Sequence, residues 1–446
     1  MRLAAVVFAL MGSSVLLAAA DAPALADDSD GASNGPTMPT GTPDNSAPDN
    51  VSTIAQNEGV MNRPRPEYDA KGIPLGGFRL FPEVQLSENY DSNVFRQPTD
   101  QDDYFFEATP ELKLQSQWGR HFLELYSGAD YYNYSRFSAE DLTDWNAGGD
   151  GRLDISHAAV VSAGAYYSET HEPWSSPNNL IGFQAKPNRY HQTHADVSGT
   201  FQPNRLGITL GGSYDRYDWL NTAAIGGGTI NNHDRDLDEY QAYAKAFYDF
   251  SPGYSVFLRG SYDTRQYDQD FDRSGLHRSS NGYRVDGGVD VQVTHLLAGE
   301  VFAGYLQQNF SQSVPAPLPD VTGFNYGLNL DWYATPRLTF HITGQRQLEN
   351  VIIVGASVAD DRNIGASADF EILYNLIGQA HLQYTEGRFV GTSRTDRMPD
   401  AGVGLEFLLD RYVSLNLNYD WSQRSSTSPG VGYTDNLVSL GLRLQI

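Results

Sequence analysis

The residues with the means to do chemistry fall into a few groups in this 446-residue chain. His191 and His194, in Tyr190-His191-Gln192-Thr193-His194-Ala195-Asp196, raise the question of a metal site. They stand three apart in a segment that alternates like a strand, so their side chains leave opposite faces and cannot share one ion. Asp268-Gln269-Asp270-Phe271-Asp272 begins like a calcium loop but lacks the glycine and distal glutamate of an EF-hand, which leaves a solvated acidic loop. A hydrolase would need serine, histidine and carboxylate brought together. The 10 histidines sit mostly in turns and loops, and no nucleophile stands in a recognisable motif. No residue has an assignable catalytic, cofactor-binding or metal-binding role, and the chain reads as non-enzymatic.

What remains is the chemistry of charge and stacking. Arg259, Ser261, Asp263 and Arg265 occupy alternate positions of one segment, and Arg284, Asp286 and Asp290 those of the next. Ser414, Asn416, Asn418 and Asp420 repeat the pattern near the end of the chain. Period-two spacing puts each set on one face of a strand. Tyr126, Tyr132, Tyr134, Tyr166 and Tyr243 fall on such faces too, placed either to stack on sugar rings or to pack among their neighbours. The candidate pore-lining residues are therefore Arg259, Asp263, Arg265, Arg284, Asp286, Asp290, Tyr132 and Tyr243.

The opposite faces are apolar and define the elements. Leu206, Ile208 and Leu210; Tyr240, Ala242, Ala244, Ala246 and Tyr248; Val285, Val289, Val291 and Val293; Leu328, Leu330 and Trp332; Val403, Leu405 and Phe407; and Val413, Leu415, Leu417 and Tyr419 each alternate with polar residues. Tyr240, Tyr248, Trp332, Tyr419 and Trp421 lie toward segment ends, where an interfacial girdle belongs. From about Gly77 the chain repeats two alternating segments joined by a short turn, then a longer polar loop. Short turns fall near Trp118-Gly119, Ser156-His157, Pro203-Asn204, Pro252-Gly253, Thr294-His295, Thr335-Pro336, Asn375 and Asp410-Arg411. Longer loops include Glu172 to Asn188, Leu220 to Arg235, Asp268 to Asn281 and Ser422 to Thr434. The alternation predicts an all-β fold, a transmembrane antiparallel β-barrel of about 18 strands with both ends on the periplasmic side. A soluble β-sandwich also alternates, but does not sustain so many strands with this turn asymmetry. A barrel of that size is too wide for side chains to fill, so its polar faces should line water.

Composition agrees. Tyr 27, Phe 21 and Gly 43 suit strands with one apolar face. The mean hydropathy of -0.45 excludes a bundle of membrane helices. Cysteine is absent, which removes disulfides, thiol catalysis, thiolate metal sites and lipoprotein anchoring. A net charge of -25 disfavours nucleic acid as a partner. Residues 1–26 read as a signal peptide, with Arg2, the apolar stretch Leu3 to Ala20 and the small-residue site Ala24-Leu25-Ala26. Residues 27–60 read as a disordered periplasmic tail, 61–76 as a lead-in and 77–446 as the barrel.

Two stretches carry resemblances. The end of the chain, Val438 to Ile446, alternates up to the terminal carboxylate. It resembles the C-terminal sorting signal of bacterial outer-membrane proteins, with Ser439, Gly441, Leu444 and Ile446 in its four places and Ile where Phe is more usual. This resemblance implies outer-membrane lipid and the barrel assembly machinery as partners, in a Gram-negative bacterium. Arg63-Pro64-Arg65-Pro66-Glu67-Tyr68-Asp69 and Tyr90-Asp91-Ser92-Asn93 resemble a family of outer-membrane β-barrel porins found with exopolysaccharide synthesis and export machinery. It implies a channel exporting a polysaccharide, with a periplasmic export protein as a further partner. A general or small-solute porin, and a surface binding protein anchored by its barrel, are the other readings. Tyr90 to Asn93 on their own are an Asp/Asn-stabilised turn, or alternatively a carbohydrate or calcium contact at Asp91 and Asn93.

Overall fold

The computed structural model describes residues 59–180, 182–293, 296–310 and 317–446. The signal peptide, nearly all of the tail and the turn Thr294-His295 lie outside the described residues. Among the described residues, 18 long strands form one closed antiparallel sheet. They are β1 Phe78–Asp91, β2 Asp103–Ser116, β3 Phe122–Tyr134, β4 Leu142–Ser156, β5 Ala159–His171 and β6 Arg189–Phe201. There follow β7 Leu206–Trp219, β8 Leu237–Ser251, β9 Tyr254–Tyr267, β10 Ser280–Val293, β11 Leu297–Phe310 and β12 Val321–Thr335. The last are β13 Leu338–Asn350, β14 Val358–Leu373, β15 Leu376–Phe389, β16 Thr395–Leu408, β17 Val413–Ser426 and β18 Tyr433–Gln445.

Each strand pairs with its neighbours in the chain, and β18 returns to β1 in a register running from Glu83↔Gln445 to Asp91↔Leu437. The alternating terminal segment therefore has a partner on both sides, β17 and β1. Closure leaves no open edge, the condition for strands to cross lipid with their backbone groups paired. Residues directly opposite in an antiparallel pair share a face. Leu206, Ile208 and Leu210 thus meet Tyr248, Ala246 and Ala244, and Leu415, Leu417 and Tyr419 meet Leu442, Leu440 and Val438, all on the outside. Leu210, Leu258, Leu382 and Leu440 are each more than half exposed there, forming a belt that only lipid can cover.

The connections differ at the two ends. At one end lie tight turns such as His157-Ala158, Pro252-Gly253 and Pro336-Arg337. Gly253 takes φ +75, a conformation that costs glycine nothing. At the other lie the long loops 92–102, 172–188, 220–236 and 268–279. Two expected loops are shorter than their polarity suggested. β17 continues to Ser426, pairing Ser422 with Asp400 and Ser426 with Asp396, and β10 begins at Ser280. Beyond the lipid both strand faces meet polar surroundings, so the alternation fades while the backbone ladder continues. The loop 220–236 holds its own small hairpin, Thr222–Ala223 against Thr229–Ile230.

Candidate functional site in the barrel lumen

The inward faces of β8 to β11 form a paired wall. Lys245 Nζ lies 2.8 Å from Glu300 and 3.0 Å from Asp290, and Arg259 donates to Glu300 at 2.9 Å and sits 3.8 Å from Asp286. Arg265 donates to Glu239 at 3.2 Å and reaches across to β13, to Asn350 Oδ1 at 2.9 Å and the Leu348 carbonyl at 3.2 Å. Asp263 accepts from Gln308 at 3.0 Å, with Arg284 3.9 Å away. Lys245 and Arg259 also cover the rings of Phe257 and Phe302, at 4.1 and 4.4 Å. Those rings lie flat because each faces a glycine across the ladder, Phe257 on Gly288 and Phe302 on Gly327, where a Cβ would collide with the ring.

The inward faces of β1 to β4 are built otherwise. Register places Glu83 directly opposite Glu111, Glu124 opposite Asp150 and Asp130 opposite Asp144. Neutral donors serve much of this wall, Thr109 donating to Asp130 at 3.0 Å, Gln115 to Glu124 at 2.6 Å and Ser87 to Glu107 at 3.1 Å, while His171 of β5 pairs with Asp144 at 2.5 Å. Lys113 pairs with Glu111 at 2.8 Å and Arg152 with Asp154 at 3.3 Å. On the far side, His341 bridges Asp331 and Asp369 at 2.6 and 3.0 Å, and His381 lies between Asp400 and Asp420 at 2.8 and 3.7 Å. Between these regions runs an aromatic strip, with Tyr166 stacked on His194 at 5.3 Å and Tyr190 tilted against Trp219 at 4.5 Å. Tyr126 lies on Gly148, and Tyr243 on Gly211.

Two segments enter the lumen from its ends. The loop 172–188 leaves β5 and crosses nearly half the ring. Asn178 donates to the Asn350 carbonyl at 3.3 Å and accepts from the Ile352 N–H at 2.9 Å, while Arg424 of β17 donates to the Ser175 carbonyl. Glu172 fixes its base, accepting from Arg235 at 2.6 and 2.9 Å and from Asn188 and Ser176 at 2.8 Å. Burial alone would raise the Glu172 carboxyl, but Arg235 and these donors outweigh it and hold it below the ordinary carboxylate range. A cavity of about 240 Å³ remains beneath the loop, lined among others by Trp219, Arg235, Arg265, Gln347 and Arg424.

At the short-turn end the lead-in folds inside. The Val60 N–H donates to Thr339 Oγ1 at 3.0 Å, and its side chain packs on Ile377 and Leu408, so Gly59 and Val60 belong to the lead-in rather than to the stretch read as tail. Arg63 and Arg65 converge on Glu371 at 3.0 and 3.3 Å, and Asp69 accepts from the Arg65 N–H at 2.6 Å. The Arg-Pro-Arg-Pro stretch thus has a structural task, that of a latch.

All eight candidate pore residues point inward, but Asp263, Arg265, Asp286 and Tyr132 are buried among neighbours rather than lining open water. Cross-strand pairing and the loops folded into the lumen cover them. His191 and His194 lie on opposite faces. His191 is 3.5 Å from Glu169, and His194 is fully buried, 2.7 Å from Asp215. Among the described residues no group of acids and histidines is arranged to hold a metal ion. Asp268 pairs with Arg216 at 2.7 Å and Asp272 with Arg278 at 2.6 Å. Tyr90 and Asp91 end β1, and the turn that follows is tied back to the strand and across to β18: the Asn93 N–H donates to Asp91 at 2.7 Å, Arg96 pairs with Asp91 at 3.1 Å and Asp435 at 2.8 Å, and Ser92 donates to Asp435 at 3.0 Å. The sequence reading missed the facing carboxylates of β1 to β4. Their alternation was visible, but the register that opposes them was not.

An apolar outer belt around a polar lumen in a closed barrel of this size is the architecture of an outer-membrane channel of a Gram-negative bacterium. Residues 65–446 match the family described as "Putative beta-barrel porin 2", and the chain belongs to that family. Membership places it among channels rather than enzymes. No curated protein matches the chain. Among solved structures it is similar to the outer membrane protein OpdK from Pseudomonas aeruginosa, with 13% identity, TM-score 0.41, and 82% of this chain and 99% of that one covered. It is also similar to OccAB4 from Acinetobacter baumannii, with 12% identity, TM-score 0.42 and coverage of 86% and 100%. A third is a mutant of the ferric enterobactin receptor PfeA from Pseudomonas aeruginosa, with 8% identity, TM-score 0.43 and coverage of 85% and 81%.

Proposed function

We propose that the chain is a porin for small hydrophilic solutes, with its short turns and both termini in the periplasm and its long loops outside. The observation that carries this reading is the loop 172–188, pinned to the far wall at Asn350, Ile352 and Arg424. A fixed bar across the mouth suits solutes of modest size and obstructs a bulky hydrated polymer. Assembly would engage lipid along the outer belt and the barrel assembly machinery through Ser439, Gly441, Leu444 and Ile446.

Export of a polysaccharide, in concert with a periplasmic export protein, is the second reading. The half-buried rings of Tyr166 and Tyr190 favour it, because ring faces along a lumen give sugars a surface to slide on. Liposome swelling with saccharides of graded length separates the two. Entry of monosaccharides with exclusion of longer oligomers is the expected result, and equal passage of long oligomers would overturn the porin reading in favour of export. Cysteines placed at His157 and Ser428 test the orientation. Only the latter should react with an impermeant reagent on intact cells.

A further inference from the structure

We propose that the channel selects for cations, passing small cationic and neutral solutes and rejecting anions, with the wall of β1 to β4 as its filter. The inference rests on the channel reading and adds the charge class of what passes. It starts from the register, which sets Glu83 against Glu111, Glu124 against Asp150 and Asp130 against Asp144. Like charges directly opposite destabilise a sheet, and here the opposition occurs three times on adjacent strands.

A second observation is incomplete pairing. Glu107 accepts from Ser87 at 3.1 Å and Asp144 pairs with His171 at 2.5 Å, each through one carboxylate oxygen, while the other, Oε1 of Glu107 and Oδ1 of Asp144, has no hydrogen-bond partner. The cationic side chains of β8 to β10 do not offset this wall, since Lys245, Arg259 and Arg265 are taken up by Asp290, Glu300, Asp286 and Glu239 on their own side. A pathway lined by one sign of charge concentrates the opposite ion, and rings of Asp and Glu are the usual basis of cation selectivity.

The test is the reversal potential of the purified full chain in planar bilayers under a potassium chloride gradient. Potassium should be preferred over chloride severalfold, with the preference shrinking at high salt as the wall is screened. The Glu111→Gln, Glu124→Gln, Asp130→Asn triple variant should bring the ratio toward one. If the triple does not assemble, Glu111→Gln and Glu124→Gln singly should each lower it. Conductance with no cation preference, or variants that keep the parental ratio, would overturn the inference while leaving the channel reading intact. Absence of any conductance would overturn the channel reading, and this inference with it.

Discussion

The walls of β8 to β11 and of β1 to β4 both carry carboxylates at alternate positions, and they differ in what stands within reach of each. On the first, Lys245, Arg259 and Arg265 are bound to Glu300, Asp286 and Glu239, and two phenyl rings lie flat under the cations. On the second, carboxylate faces carboxylate and the donors are mostly neutral side chains. On the second wall Glu83, Glu111 and Asp150 stay partly exposed, so water shares in solvating charge that a packed core could not hold. The first wall gains rigidity from its charges, whereas the second spends stability on a field. Charge in a pore therefore has two uses, and the register decides which one a residue serves.

The largest expected effect breaks the paired wall. Arg265 is buried with Glu239 and ties β9 to β13 through Asn350 and Leu348. Arg265→Ala leaves the Glu239 carboxylate buried without its cation and should cost about 3–5 kcal/mol. Denaturant unfolding of the barrel in lipid vesicles measures the loss. A cost near zero would mean that this wall, too, is carried by water rather than by pairing.

The next sharpens where either wall ends and lipid begins. Leu415 points outward opposite Leu442, and its neighbour Asn416 points into the lumen opposite Gly441. Leu415→Arg should cost about 2–4 kcal/mol near the midplane. Asn416→Arg should assemble normally and shift conductance. Equal damage from the two would mean that the faces are misassigned.

That alternation is legible in the residues themselves, because a side chain's face follows from its parity alone. The strand count follows from it, as do turns such as Pro252-Gly253. Contacts between distant residues are not legible. Nothing local in Asn178 announces Asn350, and nothing in Val60 announces Ile377 and Leu408. Arg63 and Arg65 stand out as unexplained by strand physics, and the explanation is a carboxylate roughly three hundred residues away, Glu371. The facing acids are hidden for the same reason. Local order assigns each strand its two faces, while the stagger between strands is set by closure of the whole ring.

A third prediction concerns the bar across the mouth, whose base is a buried pair like those of the first wall. The Glu172 carboxyl is held below its ordinary range, chiefly by Arg235 against the opposing effect of burial. A lowered carboxyl contributes stability that is fully present above the released group's value, near 4.3, and is lost as pH falls through the lower bound value. The loop should therefore stay closed at neutral pH and loosen only in acid below about pH 4. Single-channel recording should show larger or noisier conductance there. Glu172→Gln should weaken the anchorage by about 1.5–3 kcal/mol and show the open behaviour already at neutral pH. Identical traces for parent and variant at every pH would remove the loop from the conduction path.

The smallest effect probes the acid wall and has the opposite sign. Asp130 faces Asp144 across the ladder and accepts a hydrogen bond from Thr109 at 3.0 Å. Asparagine at 130 keeps an oxygen for Thr109 and adds an amide donor toward the Asp144 carboxylate, so a like-charge contact becomes an attractive one. Asp130→Asn should therefore stabilise the barrel by about 0.2–1 kcal/mol while reducing its preference for cations. Unfolding in vesicles and reversal potentials on the same preparation give both readings. A variant that is less stable than the parent would show that Asp130 is held by pairing after all, and the contrast between the two walls would then be one of degree.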